Sequence, residues 1–258
     1  CRVRSASWSW LLRLAITPAD DARPARPAYA DTGLRMESRP LPTGVIAGMP
    51  TDVYERTAAT CGVEARWISV FRQGPLFPSA FLPTSPLREP DFEQKLAEWI
   101  GVIHGQGLPV LSWVPMTRCR PAWEAHRDWR QVFLPPAEPD QVLPEGFCCV
   151  NSGYGDALIG CCIEALERFD LDGLWFDGSA FSPVWSPPRP VSCLCEACRR
   201  KYGEQTGEDL PAAWRPETPE FRRWMAWRYR AFGEYWGRLA RQVKAAHPRA
   251  SFAINDYH

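Results

Sequence analysis

Apolar positions along the chain switch between two patterns, and the switching is regular. Short runs rich in β-branched and aromatic residues lie at 8–16 (WSWLLRLAI), 65–71 (ARWISVF), 108–114 (LPVLSWV), 172–177 (DGLWFD) and 250–255 (ASFAIN), and each reads as a strand. Between them the apolar residues take helical spacing. Segment 51–61 reads as a short helix, with Thr51 as N-cap and Val53, Thr57, Ala58 and Cys61 on one face. Segment 91–104 carries Phe92, Leu96, Trp99, Ile100 and Ile103 on one stripe, with Gly105 and Gly107 to end it. Segment 155–169 turns Leu158, Ile159, Cys162, Ile163, Leu166 and Phe169 inward, and 219–247 runs from Pro219 to a stop at Pro248.

Strict alternation of strand and helix predicts a parallel sheet with crossover helices. The loops choose between architectures. Helix-to-strand connections (62–64, 105–107, 170–171, 248–249) are short, and strand-to-helix connections (17–50, 72–90, 115–154, 178–218) are long. The long loops therefore gather at the carboxyl ends of the strands, as in a (β/α)8 TIM barrel. A doubly wound nucleotide fold shares the handedness, but no G-x-G-x-x-G follows the first strand and no P-loop occurs, so no organic cofactor is expected. Five strands do not close a barrel. The expectation is one domain over 1–258, covering about the first five β/α units of a barrel that continues past His258, with a cysteine-rich loop at 178–218.

Composition narrows the function. Of 258 residues, 45% are hydrophobic and 23% charged, enough for a full core. Lys+Arg and Asp+Glu are both 30, which removes a general electrostatic grip on nucleic acid or anionic membrane. No apolar stretch is long enough to span a bilayer. The 13 Trp are far above ordinary usage, and flat aromatic faces suit either sugar rings or bulky packing.

The 10 Cys include Cys193-Leu194-Cys195-Glu196-Ala197-Cys198, a C-x-C-x-x-C run. Three thiols this close converge on one ion, and a thiolate zinc site takes a fourth in a tetrahedron. Cys148 or Cys149, in the preceding long loop, can supply it. Four thiolates leave no open position, so the zinc would be structural. Disulfides of an exported protein and unpaired buried thiols are the competing readings; Cys161 and Cys162, inside a helix, suit the latter.

Asp177 ends the fourth strand, at the end where barrel enzymes place catalytic groups. Period-two alternation puts it on the face of Trp175. A carboxylate beside Trp fits glycoside chemistry, either attacking or stabilising an oxocarbenium-like centre; the alternative is a turn Asp capping its own backbone. A glycosidase needs a second carboxyl group. Asp256, just past the fifth strand, is the first candidate within the chain, and Asp20 and Asp21 follow. Arg72, Trp113, His126, Trp129, Asn255, Tyr257 and His258 are candidates to line the same mouth.

These residues carry a resemblance. Cys149-Val150-Asn151-Ser152, then a helix, then Asp172 to Gly178, then Cys193-x-Cys195-x-x-Cys198 with Lys201-Tyr202-Gly203 and Leu210-Pro211, resemble the barrel family called hypothetical glycosyl hydrolase 6 over nearly the whole chain. The family 42 β-galactosidases and the α-L-fucosidases are similar more distantly. The family 42 pattern of a C-x-N-S element ahead of C-x-C-x-x-C implies zinc held by Cys149, Cys193, Cys195 and Cys198. Its acid/base Glu has no counterpart at Phe176-Asp177-Gly178; the wording W-F-D-G resembles the fucosidase nucleophile segment and implies Asp177 in that role. Gly153 stands where the C-x-N-S element usually continues with Pro. The resemblance implies a glycoside hydrolase, retaining with an Asp nucleophile, with a non-catalytic carbohydrate-binding barrel as the alternative and a zinc-ribbon-like adaptor as a third class opposed by charge and alternation. Catalysis is expected from Asp177 and Asp256, with Trp113, Trp175, Arg72, His126, Asn255 and Tyr257 binding substrate. Carbohydrate is the expected partner, with no nucleic acid and no membrane, and self-association is left open. A thiolate zinc site loads most readily in reducing cytosol, so a cytoplasmic location is expected, with secretion as the alternative.

Overall fold

The computed structural model describes residues 36–38, 65–134, 145–178, 181 and 191–254. Five strands form one sheet in consecutive order: β1 (Met36–Ser38), β2 (Ala65–Ser69), β3 (Val110–Pro115), β4 (Gly173–Asp177) and β5 (Ser251–Ile254). Every adjacent pair is parallel. Among the described residues five α-helices connect or follow them: α1 (Phe92–Gly105), α2 (Arg120–Ala125), α3 (Gly153–Arg168), α4 (Glu196–Thr206) and α5 (Pro219–Ala246).

Four of the expected strands and three of the expected helices are present within a few residues of their sequence bounds. The first place in the sheet is held by Met36–Ser38, inside the stretch 17–50 that reads as a loop; the expected strand 8–16 and helix 51–61 lie outside the described residues. Three residues between Arg and Pro-containing segments are too few to show a period. Helices α2 and α4 also arise within long stretches read as loops. Both are short and start beside cysteines, so their apolar pattern is dominated by the residues that hold the loop.

Consecutive order has a geometric consequence. Right-handed crossovers between neighbouring parallel strands all pass on the same side, whereas a doubly wound sheet reverses at a switch point. The helices therefore cover one face. Ile68, Val110, Val114, Leu174 and Phe176 pack there against Leu96, Ile100, Leu158, Ile159, Trp224 and Leu239 in one buried cluster. The opposite face carries a small second cluster of Ala65, Leu111 and Ala253, with Trp67 and Trp175 against it.

Asp172 fixes the register at the amino ends of the strands. Its Oδ2 accepts the Val110 N–H at 2.9 Å and lies 2.8 Å from His104 Nε2 at the end of α1. Its own N–H donates to the Val110 carbonyl, and its carbonyl accepts the Ser251 N–H, each at 2.8 Å. One residue thus ties β3, β4, β5 and α1. Next to it, Gly173 is required by close approach: a Cβ there would stand 2.2 Å from the Ser251 carbonyl oxygen. Loop 74–85 is pinned to α3 in a similar way. The Phe81 ring lies over Gly160, where a Cβ would meet it at 2.4 Å, and Glu164 accepts from Ser79 Oγ at 2.6 Å.

Two glycine substitutions should separate close approach from mere helix entropy. Gly173→Ala should destabilise the fold by about 3 kcal/mol or more, because only backbone can yield. Gly101→Ala, mid-helix with nothing within 4 Å of the new Cβ, should stabilise it by about 0.5–1 kcal/mol. Denaturant unfolding of both variants checks the two signs.

Candidate functional site: an aromatic face with one carboxylate, and a four-cysteine centre

Alternation along the strands sets the face turned away from the helices. β2 contributes Ala65, Trp67 and Ser69; β3 contributes Leu111, Trp113 and Pro115; β4 contributes Gly173, Trp175 and Asp177. The register pairs Trp113 with Trp175 and Pro115 with Asp177. Three indoles therefore share one face. The Trp67 and Trp175 rings lie 4.7 Å apart and the Trp67 and Trp113 rings 6.4 Å apart, all tilted. All three are partly exposed, as is Asp177.

Asp177 sits at the carboxyl end of this aromatic wall. Its Oδ2 accepts the Trp113 indole N–H at 3.2 Å, and its Oδ1 accepts the N–H of Gly178 at 2.9 Å. Gly178 has φ +69°, a conformation that suits glycine and turns its N–H back onto the carboxylate. With one donor on each oxygen, the two hydrogen bonds hold the carboxyl group in one orientation. Among the side chains of β2 to β5 on this face, Asp177 is the one charge. The wall offers apolar, electron-rich faces to a ligand and one fixed negative group.

Of the expected site residues, the structure brings together Trp113, Trp175 and Asp177. Trp67 joins them and was missed by the sequence reading, although the phase of ARWISVF places it on the same face as Ala65 and Ser69. Arg72 is exposed in the turn after β2, its N–H bonded to the Gly74 carbonyl at 2.7 Å. His126 stacks on Trp129 with centroids 3.7 Å apart, beside the cysteine-bearing loop. Asn255, Asp256, Tyr257 and His258 lie outside the described residues, as do Asp20 and Asp21.

The second constellation is the cysteine centre. The Sγ atoms of Cys149, Cys193, Cys195 and Cys198 lie within 4.8 Å of one another, all buried, and Cys149 and Cys198 are 3.4 Å apart. Four sulfurs bound at about 2.3 Å in a tetrahedron stand about 3.8 Å apart, so the donor set and spacing fit a metal ion. No described cysteine is in a disulfide. Hydrogen bonds from the other three sulfurs pull the Cys195 thiol far below its ordinary value. Burial, reinforced by the neighbouring sulfurs, pushes Cys149 up, and burial pushes Cys193 up. A cation bound between the four sulfurs would ionise them.

Outer contacts orient these ligands. Asn151 Nδ2 donates to Cys198 Sγ at 3.3 Å, and Lys201 Nζ reaches Asn151 Oδ1 at 3.4 Å. The Cys195 N–H donates to Cys193 Sγ at 3.5 Å. Arg228, buried in α5, feels the Cys193 and Cys198 sulfurs, while burial pulls its guanidinium down to about 10. The Cys149 N–H donates to the Trp129 carbonyl at 2.7 Å. Trp129 also explains the glycine after the Asn-Ser pair: a Cβ at Gly153 would stand 2.7 Å from its Nε1, leaving no room for the usual Pro. A cleft of about 360 Å3 opens beside Asn151 and Lys201. Of the three cations that line it, Lys201 pairs with Glu234 at 2.8 Å and Arg238 with Asp156 at 2.5 Å.

The remaining described cysteines behave as small hydrophobes. Burial pushes Cys119 up to about 11 and Cys161 up to about 12, and raises Cys148 and Cys162 as well, so these thiols stay protonated.

Comparison with known proteins adds the fold. No family model matches the chain, and neither does any curated protein. Among solved structures it is similar to the α-L-fucosidase isoenzyme 2 of Paenibacillus thiaminolyticus, with TM-score 0.57 and 19% identity over 86% of this chain and 32% of that one. It is also similar to the PgaB (BpsB) glycoside hydrolase domain of Bordetella bronchiseptica, with TM-score 0.54 and 15% identity over 83% of this chain and 62% of that one. The chain thus spans about a third of the fucosidase and less than two thirds of the second structure. At these identities the likeness is one of fold, and both folds belong to glycoside hydrolases. Among the described residues no helix is long and apolar enough to cross a membrane.

Cobalt(II) tests the cysteine centre directly. Titration into reduced, metal-stripped protein should give the ligand-field and thiolate charge-transfer bands of a tetrahedral tetrathiolate. Cys198→Ser should weaken or abolish them, and Cys148→Ser should leave them intact.

Proposed function

We propose that the chain forms part of a TIM-barrel glycoside hydrolase that works with retention, with Asp177 as its nucleophile. One observation carries the reading: a fixed, partly exposed carboxylate ends a central parallel strand, on the face the helices leave free, beside three indoles. The fold-level likeness to glycoside hydrolases supports it.

The chemistry follows from the geometry. An indole face packs on the apolar C–H face of a pyranose and sets the sugar against the carboxylate. An Asp177 oxygen attacks the anomeric carbon, the bond from that carbon to the leaving oxygen breaks, and a second carboxyl group donates the proton which that oxygen needs. Water then displaces Asp177, with the second group acting as base. Asp256, two residues past β5, is the in-chain candidate for the partner. In a retaining enzyme the two carboxyl groups stand about 5–5.5 Å apart.

Zinc is the metal that the four-thiolate donor set fits, held by Cys149, Cys193, Cys195 and Cys198. It would supply folding energy rather than reaction chemistry, because four sulfurs fill a tetrahedral shell. Cys149 precedes α3, and Cys193 to Cys198 open α4, so the ligands tie the loop after β3 to the loop after β4 at the same end as Asp177. The alternative, a barrel that binds carbohydrate without cleaving it, is favoured by Asp177 being the one carboxylate among the β2 to β5 side chains of this face.

Turnover of a panel of aryl glycosides, fucosides first because a neighbour in fold is a fucosidase, separates the two readings. Asp177→Asn should lower turnover by about 1000-fold or more with circular dichroism and melting temperature unchanged. Near-normal turnover in that variant excludes Asp177 as nucleophile. Sugar binding by the wild-type protein with no hydrolysis anywhere in the panel supports the binding barrel.

A further inference from the structure

Trp113 differs from the other two indoles of the wall. Its Nε1–H points along the face to Asp177 Oδ2, 3.2 Å away. The Trp175 Nε1–H is buried and meets no hydrogen-bond acceptor among the described residues, and Trp67 touches both rings. We propose that Trp113 is a positioning residue, whose indole N–H fixes the orientation of the Asp177 carboxylate, and that its ring is not the sugar platform. This rests on the reading of Asp177 as nucleophile.

The register explains why this task falls to Trp113. The residue directly opposite Asp177 is Pro115, which has neither a backbone N–H nor a side-chain donor. On β3 the side-chain donor comes from the diagonal neighbour one step back, Trp113. Diagonal cross-strand neighbours are about 7–8 Å apart, within reach of a long aromatic side chain and beyond that of a short one. Gly178 binds the other oxygen from the opposite side of the carboxylate. With a donor on each oxygen the carboxylate plane cannot rotate without breaking one bond.

The choice of donor also has chemical content. An indole N–H donates only: it cannot accept a proton or lose one at working pH. It therefore stabilises the ionised nucleophile without competing for the proton that the leaving oxygen requires. The neighbouring rings hold it still. Trp67 packs at 6.4 Å from Trp113, and the backbone pairing sets Trp175 beside it. A platform residue needs only its ring face; here the N–H direction is what the packing fixes.

Trp113→Phe keeps the ring and deletes the N–H, so it isolates the proposed function. On an aryl glycoside that the wild type hydrolyses, kcat should fall about 10- to 100-fold with KM within about twofold, as expected for a misplaced reacting group. Trp67→Phe should show the opposite split, a raised KM with most of kcat kept. A second readout needs no activity. In protein labelled with 15N at indole nitrogens, the Trp113 Nε1–H resonance, assigned by its loss in W113F, should move upfield in D177A. An unmoved resonance, or a W113F enzyme that loses KM like W67F and keeps its kcat, overturns the proposal. A resonance that moves while D177N still turns over locates the error instead in the nucleophile assignment, and the positioning role falls with it.

Discussion

The register of β3 against β4 decides where every group of the candidate site stands. In a parallel sheet a slip of one residue sends each side chain to the other face. Slipping β4 would bury Asp177 among Ile68, Val114 and the helices, and bring Leu174 and Phe176 to the free face. Asp172 at one end and the Met116 N–H to Asp177 carbonyl bond at the other, 3.0 Å long, hold the pairing against such a slip. Gly173 lets β5 close on β4 in the same frame. The carboxylate is thus placed by backbone geometry first, and only then refined by Trp113 and Gly178.

The two constellations divide their work by location. The cysteine centre lies among the loops and the α4–α5 layer, where its sulfurs are buried and Asn151 donates to Cys198. Structural zinc in small thiolate sites is associated with about 10–16 kcal/mol of binding free energy, far more than the roughly 1.5–3 kcal/mol of any one hydrogen bond in the site. The described parts of the segments after β3 and β4 bury side chains such as Met116, Leu134, Val191 and Leu210 in the main core, and the four cysteines add a link between the two segments. On the proposed reading, a metal held by the four sulfurs would cross-link these loops while the sheet beneath holds the carboxylate, so that chemistry and stapling would use different residues.

Much of this was legible in the sequence because its strongest signals are local. The run LPVLSWV and the stripe of Phe92, Leu96, Ile100 and Ile103 repeat at periods that only a strand and a helix satisfy. The thiols of C-x-C-x-x-C are near one another in any fold, and the choice of Cys149 over Cys148 came through the resemblance rather than from spacing. What was hidden depended on contacts across the fold. Nothing in ARWISVF announces that Trp67 will meet Trp113 and Trp175, since that follows from strand order. Asp172 read as the first residue of a strand and acts as a three-strand tie. Gly153 looked like a small departure and makes room for Trp129. Helices α2 and α4 were read as loop because six and eleven residues around cysteines carry too little apolar repeat to register.

A retaining nucleophile at Asp177 must form a covalent bond to the sugar. Incubation with a panel of 2-deoxy-2-fluoroglycosyl fluorides slows the hydrolytic step and leaves the glycosyl group on the nucleophile. Peptide mass spectrometry should then find one added glycosyl group on the fragment containing Asp177, and none in Asp177→Asn. Labelling of a different carboxylate, or equal labelling in the Asn variant, would contradict the assignment of the catalytic nucleophile.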